Sequence, residues 1–551
     1  MGASRAPPGI EGYRWYRRLF WEFVGGEGGI RTHGRLTPTP DFESGTIDHS
    51  ATSPEARILH HSSLAAAGAA RFRGAPARAL RRRLAASLAL LLAACGDPPL
   101  PPPASLGKLV VATRETPVAY HNDGSGRPSG LEHDLVALFA EELGLEVRFI
   151  AAADPAAVTA LLRQGRAHFA AAGITPAADG SLRYTPPIRQ LRQVVVGHED
   201  GPPVEEAEDL RDREIVVMAA SPQLAALRAL QPAPPGMRLV ELQGVDEMDL
   251  LQRVSERRAE LAAVDADHFA VGANFFPAVQ EAVVLPGAQA LVWAFPPGTD
   301  DALLQRAGAF IGRVTADGTL TRLADRYLGH VHRLTAPDIQ LFLQRMRTIL
   351  PRYRKDFTTA QDLNGIDWRL LAALAYQESH WRPDATSPTN VRGMMMLTED
   401  TADRLRVTNR LDARQSIEAG ARYLADLREQ LPAEVKEPDR TWLAMAAYNL
   451  GMGHLNGGRA VALMVKRDPN LWHEMKQVLP LLSRQEYAAR LKSGAARGGE
   501  AVIMVENIRT YYDILVRFES AQPDAQAFSM RSSPPRYGLS AAGTSTPPSA
   551  R

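Results

Sequence analysis

Cysteine is nearly absent from this 551-residue chain, Cys95 being the only one. A lone cysteine excludes an internal disulfide and any thiolate metal cluster. Long apolar runs are missing too: none reaches the roughly 20 residues that a membrane-spanning helix needs, which excludes a membrane bundle. Charge of one sign is not in surplus either, with 63 Lys+Arg against 62 Asp+Glu. The balance is uneven along the chain, because residues 1–94 hold 13 of the basic and only 7 of the acidic residues. The remainder is mildly acidic and has no basic stripe, which argues against a nucleic-acid partner. An apolar fraction of 45% and a charged fraction of 23% are ordinary for globular protein. The length exceeds one hydrophobic core and points to about three units plus tails.

What is present begins with the surroundings of that cysteine. Arg78, Arg81, Arg82 and Arg83 precede an apolar run from Leu84 to Ala94 that ends Leu92-Ala93-Ala94-Cys95. Charged, apolar and small-residue zones in this order are those of a secretory signal. The last four residues resemble the lipobox of bacterial lipoproteins. That resemblance implies that Cys95 is lipidated and becomes the mature N-terminus, anchored at ~0.8 kcal/mol per buried methylene. Gly96, in place of the aspartate that retains such proteins at the inner membrane, implies the outer membrane with the protein facing the periplasm. Residues 1–74 lack periodicity and are expected to be a spurious or disordered extension ahead of a signal peptide at 75–95. Residues 96–105, rich in proline, are expected to form a stiff extended linker.

From 106 to 330 short apolar runs alternate with helical patterns. Strands are expected at Leu109–Ala112, Val147–Ile150, His168–Ala172, Gln193–Gly197, Glu214–Met218 and Leu261–Val264, with helices at Leu131–Leu143 and Val158–Arg163. This is an α/β arrangement with parallel-sheet character, in which ligands gather at the carboxyl ends of strands. The order of elements, with Gly130-Leu131-Glu132-His133-Asp134-Leu135 opening the first helix, resembles the family 3 periplasmic solute-binding proteins, two-lobed clamps for amino acids. The resemblance implies a small ligand, an amino acid or muropeptide effector, with Thr175, Arg183 and Asp265 as candidate contacts. It departs from the pattern at Ala178, where the family places the arginine that grips a ligand carboxylate. Asp265 also reads as a helix N-cap, and Glu132 and Asp134 as capping and packing residues.

From 338 to 520 the texture changes to amphipathic helices, expected at Ile339–Tyr353, Trp368–Trp381, Ser416–Leu431, Trp442–Leu450 and Ile503–Phe518. Residues 521–551 are expected to be a disordered tail. The 368–381 helix, capped by Asp367, carries Glu378 in its last turn. A carboxylate beside the negative end of a helix dipole and near apolar surface has its pKa raised. Glycoside cleavage needs such an acid, still protonated near neutral pH. Three blocks follow in order: Glu378-Ser379, Gly393-Met394-Met395-Met396-Leu397-Thr398 and Ala447-Tyr448-Asn449-Leu450-Gly451. Together they resemble the family 1 lytic transglycosylases, whose domain is all-α and lysozyme-like; Met396 stands where many relatives have glutamine.

That resemblance implies cleavage of the β-1,4 bond between N-acetylmuramic acid and N-acetylglucosamine in peptidoglycan, leaving a 1,6-anhydromuramic end. It makes Glu378 the single acid and base and requires neither metal nor other cofactor. Ser379 would orient the carboxyl or touch the sugar, Met395 would line the glycan groove, and Tyr448 and Asn449 would stabilise developing charge. Hydrolases pair two acids, whereas Asp384, Glu399, Asp400 and Asp403 read as loop and capping residues. Two alternatives stay open here: a muramidase acting on the same bond, and a solute receptor whose helical domain only binds glycan.

Overall fold

The computed structural model describes residues 100–521, apart from 123–125 and 178–179. The signal, the acylation candidate Cys95, the tail beyond 521 and Ala178 therefore lie outside the described residues. No helix among those described is long and apolar enough to cross a membrane.

Two α/β lobes come first. Lobe one is built on five strands in the order Glu146–Ala152, Lys108–Arg114, Phe169–Ala170, Ala294–Phe295 and Arg183–Tyr184. Lobe two repeats the plan with Arg238–Leu242, Glu214–Met218, Leu261–Asp265, Gln193–His198 and Val279–Val284. In each sheet the first three strands run parallel and the last two antiparallel to their neighbours. The expected parallel character thus holds for half of each sheet. The chain crosses between lobes through an antiparallel pair, Arg189–Leu191 with Gln289–Leu291. Strand Leu109–Ala112, fully buried, reads as an unbroken apolar run for that reason. Lobe one packs around buried aromatic rings, with Phe169 4.9 Å from Trp293 and 5.1 Å from Phe295, and Phe139 5.2 Å from Phe310.

Residues 96–105 do not all behave as a free spacer. The Leu100 N–H donates to the Gly165 carbonyl at 2.9 Å, and Pro103–Leu106 form a short helical turn. His168 accepts from the Val110 N–H at 2.9 Å through Nδ1 and so presents Nε2–H to the Pro101 carbonyl at 3.0 Å. The proline-rich composition misleads because its backbone carbonyls remain good acceptors.

The remainder is helical. Trp368–Ser379 is apolar around its circumference and is buried on all sides, as such a helix must be. It lies among Arg354–Asn364, Ala413–Glu429 and Gly498–Phe518, with Asp439–Leu450 packed on the last two. The expected Ile339–Tyr353 helix is instead Ala336–Thr348 followed by a 3₁₀ turn at Leu350–Arg352, where Pro351 removes a backbone donor.

The end of the clamp is bonded to the helical body rather than merely tethered to it. Asp325 accepts from Lys476 at 2.5 Å and faces His473 at 3.2 Å, while the Arg509 guanidinium donates to the Arg326 carbonyl. The Asn274 amide donates to the Val331 carbonyl at 2.9 Å, and the Arg517 guanidinium lies 4.8 Å from the Phe275 ring centre. Glu506 anchors this seam. Its carboxylate accepts from Trp472 Nε1 at 2.7 Å, Arg509 at 2.8 Å and Lys476 at 3.1 Å. Burial works to raise its pKa, but the charges of Arg509 and Lys476 and these hydrogen bonds outweigh that and hold it at about 2.

Replacing Glu506 by Ala leaves the Arg509 charge buried without its partner, and the expected loss is about 3–5 kcal/mol. Because the folded pKa is depressed from 4.5, that stabilisation is complete above pH 4.5 and is lost as the pH falls towards 2. Thermal melts of wild type and variant should therefore converge over that interval.

Candidate active site

Asp367 caps the central helix as expected, its carboxylate accepting from the Arg369 N–H at 2.9 Å. The helix stops at Ser379, two residues earlier than the periodicity suggests. His380 and Trp381 both take left-handed backbone conformations, with φ of 54° and 58°. Two consecutive non-glycine residues there are strained, and such strain needs surrounding structure to hold it. Here the holder is Trp381, whose buried indole donates to the Ala372 carbonyl at 2.8 Å.

Glu378 is half-buried at the mouth of this turn, and no described residue donates a hydrogen bond to its carboxylate. Burial alone pushes its pKa up to about 8. No charged side chain contributes to the shift, and the adjacent His380 is held neutral by its own burial and by Arg345 and Arg382, at about 4. Asp384, Glu399, Asp400 and Asp403 are all exposed; Asp384 faces Arg382 and Glu399 faces Arg410.

The second block forms a tight turn opposite. Gly393 has φ of 90°, and a Cβ there would sit 1.9 Å from the Arg410 carbonyl oxygen, so only glycine fits. Three hydroxyls pin the turn. Ser379 donates to the Met394 carbonyl at 2.8 Å, Ser416 accepts from the Met395 N–H at 3.0 Å, and Tyr448 donates to the Met395 carbonyl at 2.8 Å. Each comes from a different helix.

These bonds bear on the roles expected of Ser379 and Met395. The Ser379 hydroxyl is buried and bonded to the Ala375 and Met394 carbonyls. The Met395 side chain is fully buried against Gly420; Met396, with φ of 46°, is the methionine of the three that keeps partial exposure. A buried hydroxyl with a carbonyl in reach bonds to it. Tyr448 lies close enough to Glu378 for the carboxylate to raise its pKa, although burial is the larger cause. Asn449, the next residue, is exposed. Tyr423 also belongs here, its ring 5.1 Å from Tyr448 and capped by the Arg404 guanidinium at 5.0 Å. Neither Ser416 nor Tyr423 carries a local signal that sequence reasoning could have used.

In the clamp, Asp265 caps the Ala266–Gly272 helix and accepts from the His268 ring at 2.7 Å. Arg183 is engaged with the Thr299 carbonyl at 2.8 Å and Asp301 at 2.6 Å, which leaves its fork unavailable to a ligand carboxylate. Thr175 is half-buried. Glu132 accepts from the Gly173 N–H at 2.9 Å through one of its oxygens, and Asp134 accepts from Tyr327 at 2.6 Å. The structure therefore does not gather Thr175, Arg183 and Asp265 around one point through contacts of their own.

The transglycosylase SLT domain family matches residues 356–462, and the bacterial extracellular solute-binding proteins, family 3, match residues 109–330. A membrane-bound lytic murein transglycosylase F from Methylobacillus flagellatus is 44% identical over 78% of this chain and 93% of its own length. The protein of that name from Nitrosospira multiformis is 43% identical over 75% of this chain and 86% of its own. Among solved structures, an ancestral arginine-binding protein bound to arginine is 19% identical, covering 40% of this chain and 98% of its own, with a TM-score of 0.37.

Glu378 with a folded pKa of about 8 against an ordinary 4.5 is ionised in the unfolded chain before it is in the folded one. Its presence therefore costs stability progressively from pH 4.5 to 8, with no further change above. The melting temperature of Glu378→Gln should exceed that of wild type by a margin that grows across this range and then levels off.

Proposed function

The chain belongs to the membrane-bound lytic murein transglycosylase F family, and we infer from that membership that it is a lyase that degrades peptidoglycan glycan strands. Glu378 is the acid and base in this reading. The observation that carries it is a carboxyl group whose pKa burial lifts to about 8, with no charged side chain among the described residues contributing to the shift. Below that pH Glu378 donates its proton to the oxygen between muramic acid and glucosamine as the bond breaks. The resulting carboxylate takes the proton of the muramic 6-hydroxyl, whose oxygen closes on its own anomeric carbon. Atoms balance without water, and the product is a 1,6-anhydromuramic end.

Tyr448, whose hydroxyl proton is donated to the Met395 carbonyl, and the exposed amide of Asn449 would flank the reacting centre, and neither ionises at neutral pH. Ser379 and Met395 contribute through the turn they hold rather than by contact with the sugar. We further propose domain limits of 106–330 for the clamp and 338–520 for the catalytic body. Acylation at Cys95 would hold the enzyme at the outer membrane facing the periplasm, in keeping with relatives named membrane-bound. A muropeptide or amino acid acting through the clamp remains the candidate effector; the bonded seam at Asp325, Arg326 and Glu506 is a physical route for such coupling.

Mass spectrometry of sacculi digested by the wild type tests the reaction. Anhydro ends are expected, and reducing ends alone would assign a muramidase instead. Glu378→Gln should lose turnover by at least 10²-fold while still sedimenting with murein. The kcat/KM profile should fall on its alkaline side near pH 8, where the free enzyme's acid ionises.

A further inference from the structure

Five titratable side chains that the glycan chemistry does not use meet between the two lobes. Arg114 and Glu132 come from lobe one, and Glu247, Asp265 and His268 from lobe two; each is more than nine-tenths buried. Arg114 ends the first strand and is anchored in its own lobe, its Nε donating to the Ala172 carbonyl at 3.0 Å. Its two terminal nitrogens cross the cleft. They meet the two oxygens of Glu247 at 2.8 and 3.0 Å, with the Met218 sulfur 3.8 Å away. Gly173 makes room for the crossing, since a Cβ there would lie 3.1 Å from the guanidinium. A second bond, Gly244 N–H to Asp154 at 3.1 Å, also joins the lobes.

The fork is a planar, bidentate arrangement of the kind by which proteins grip guanidinium groups. Asp265 adds a second negative charge to the Arg114 environment, and Glu247 and Asp265 together face His268. Glu247, Asp265 and His268 also have metal-ligand spacing. However, both Glu247 oxygens are taken by the fork and the His268 Nδ1 by Asp265, so the arrangement is built for an organic cation. Glu132 Oε1, His268 Nε2 and both amide atoms of Gln193 are buried in this region without hydrogen-bond partners among the described residues. Each of these groups keeps hydrogen-bonding capacity that a polar solute can meet.

We propose that lobe two carries a slot for a planar cation, floored by Glu247 and Asp265, which the chain fills with its own Arg114, closing the clamp without any solute. The inference deepens the effector reading given above. A solute that acts through the clamp must displace Arg114 and carry a guanidinium or amine to satisfy the same carboxylates.

The test uses the full chain with Cys95→Ser and spin labels at the exposed positions Gln164, in lobe one, and Glu208, in lobe two. Pulsed dipolar spectroscopy on wild type without solute should give one narrow distance distribution. Arg114→Ala should shift and broaden it, and millimolar guanidinium chloride should restore the narrow distribution where sodium chloride of equal ionic strength does not. Glu247→Ala should open the lobes beyond rescue by guanidinium. Should Arg114→Ala fail to fold, Arg114→Lys, which keeps the charge but not the fork, should broaden the distribution in the same sense. A broad wild-type distribution, an Arg114→Ala protein still closed, or no difference between guanidinium and sodium overturns the proposal. The readout is independent of glycan cleavage, so its failure leaves the assignment of Glu378 standing.

Discussion

The grip of three hydroxyls on one turn is the constraint from which the catalytic geometry follows. The backbone of Met394 and Met395 offers two carbonyls and one N–H inside a packed body, where an unpaired group costs about 1–3 kcal/mol. Ser379, Ser416 and Tyr448 satisfy them from three helices that are far apart in sequence. The turn in this way sets the mutual position of those helices, and the Glu378 carboxyl lies beside the residue that makes one of the three bonds. Rigidity here matters because a carboxyl whose pKa is raised by burial alone keeps that pKa only while its surroundings stay dry.

Three glutamates illustrate how little the side chain itself decides. Glu506 carries two cations and an indole N–H and stays ionised to about pH 2. Glu132 accepts one backbone N–H and feels Arg114 and His268, yet burial dominates and lifts it to about 7. Glu378 has no partner and rises to about 8. Only the last arrangement supplies a proton donor at neutral pH beside an accessible surface, while the first supplies a rivet between two bodies.

Local signals in the sequence carried what local physics determines. The Leu131–Leu143 helix, the Glu214–Met218 strand and the Asp367 cap follow from periodicity and short-range hydrogen bonding, and the structure places them as expected. The Glu378 and Tyr448 blocks were legible because their order is specific. What was not legible depends on partners distant in the chain. Arg114 and Glu247 are 133 positions apart and Tyr448 is 53 from Met395, so nothing near either residue announces its partner. The partners of Ser379 and Met395 were hidden for the same reason: a backbone carbonyl 15 positions on takes the hydroxyl, and Gly420 packs against the thioether.

The docking of Leu100 and Pro101 onto Gly165 and His168 sets a working distance. Only residues 96–99 separate Leu100 from Cys95, and a fully extended chain advances at most ~3.6 Å per residue. At most roughly 18 Å of extended backbone therefore lies between Cys95 and the point where the chain docks on lobe one. Any group carried on Cys95 would be confined to the neighbourhood of that docking point.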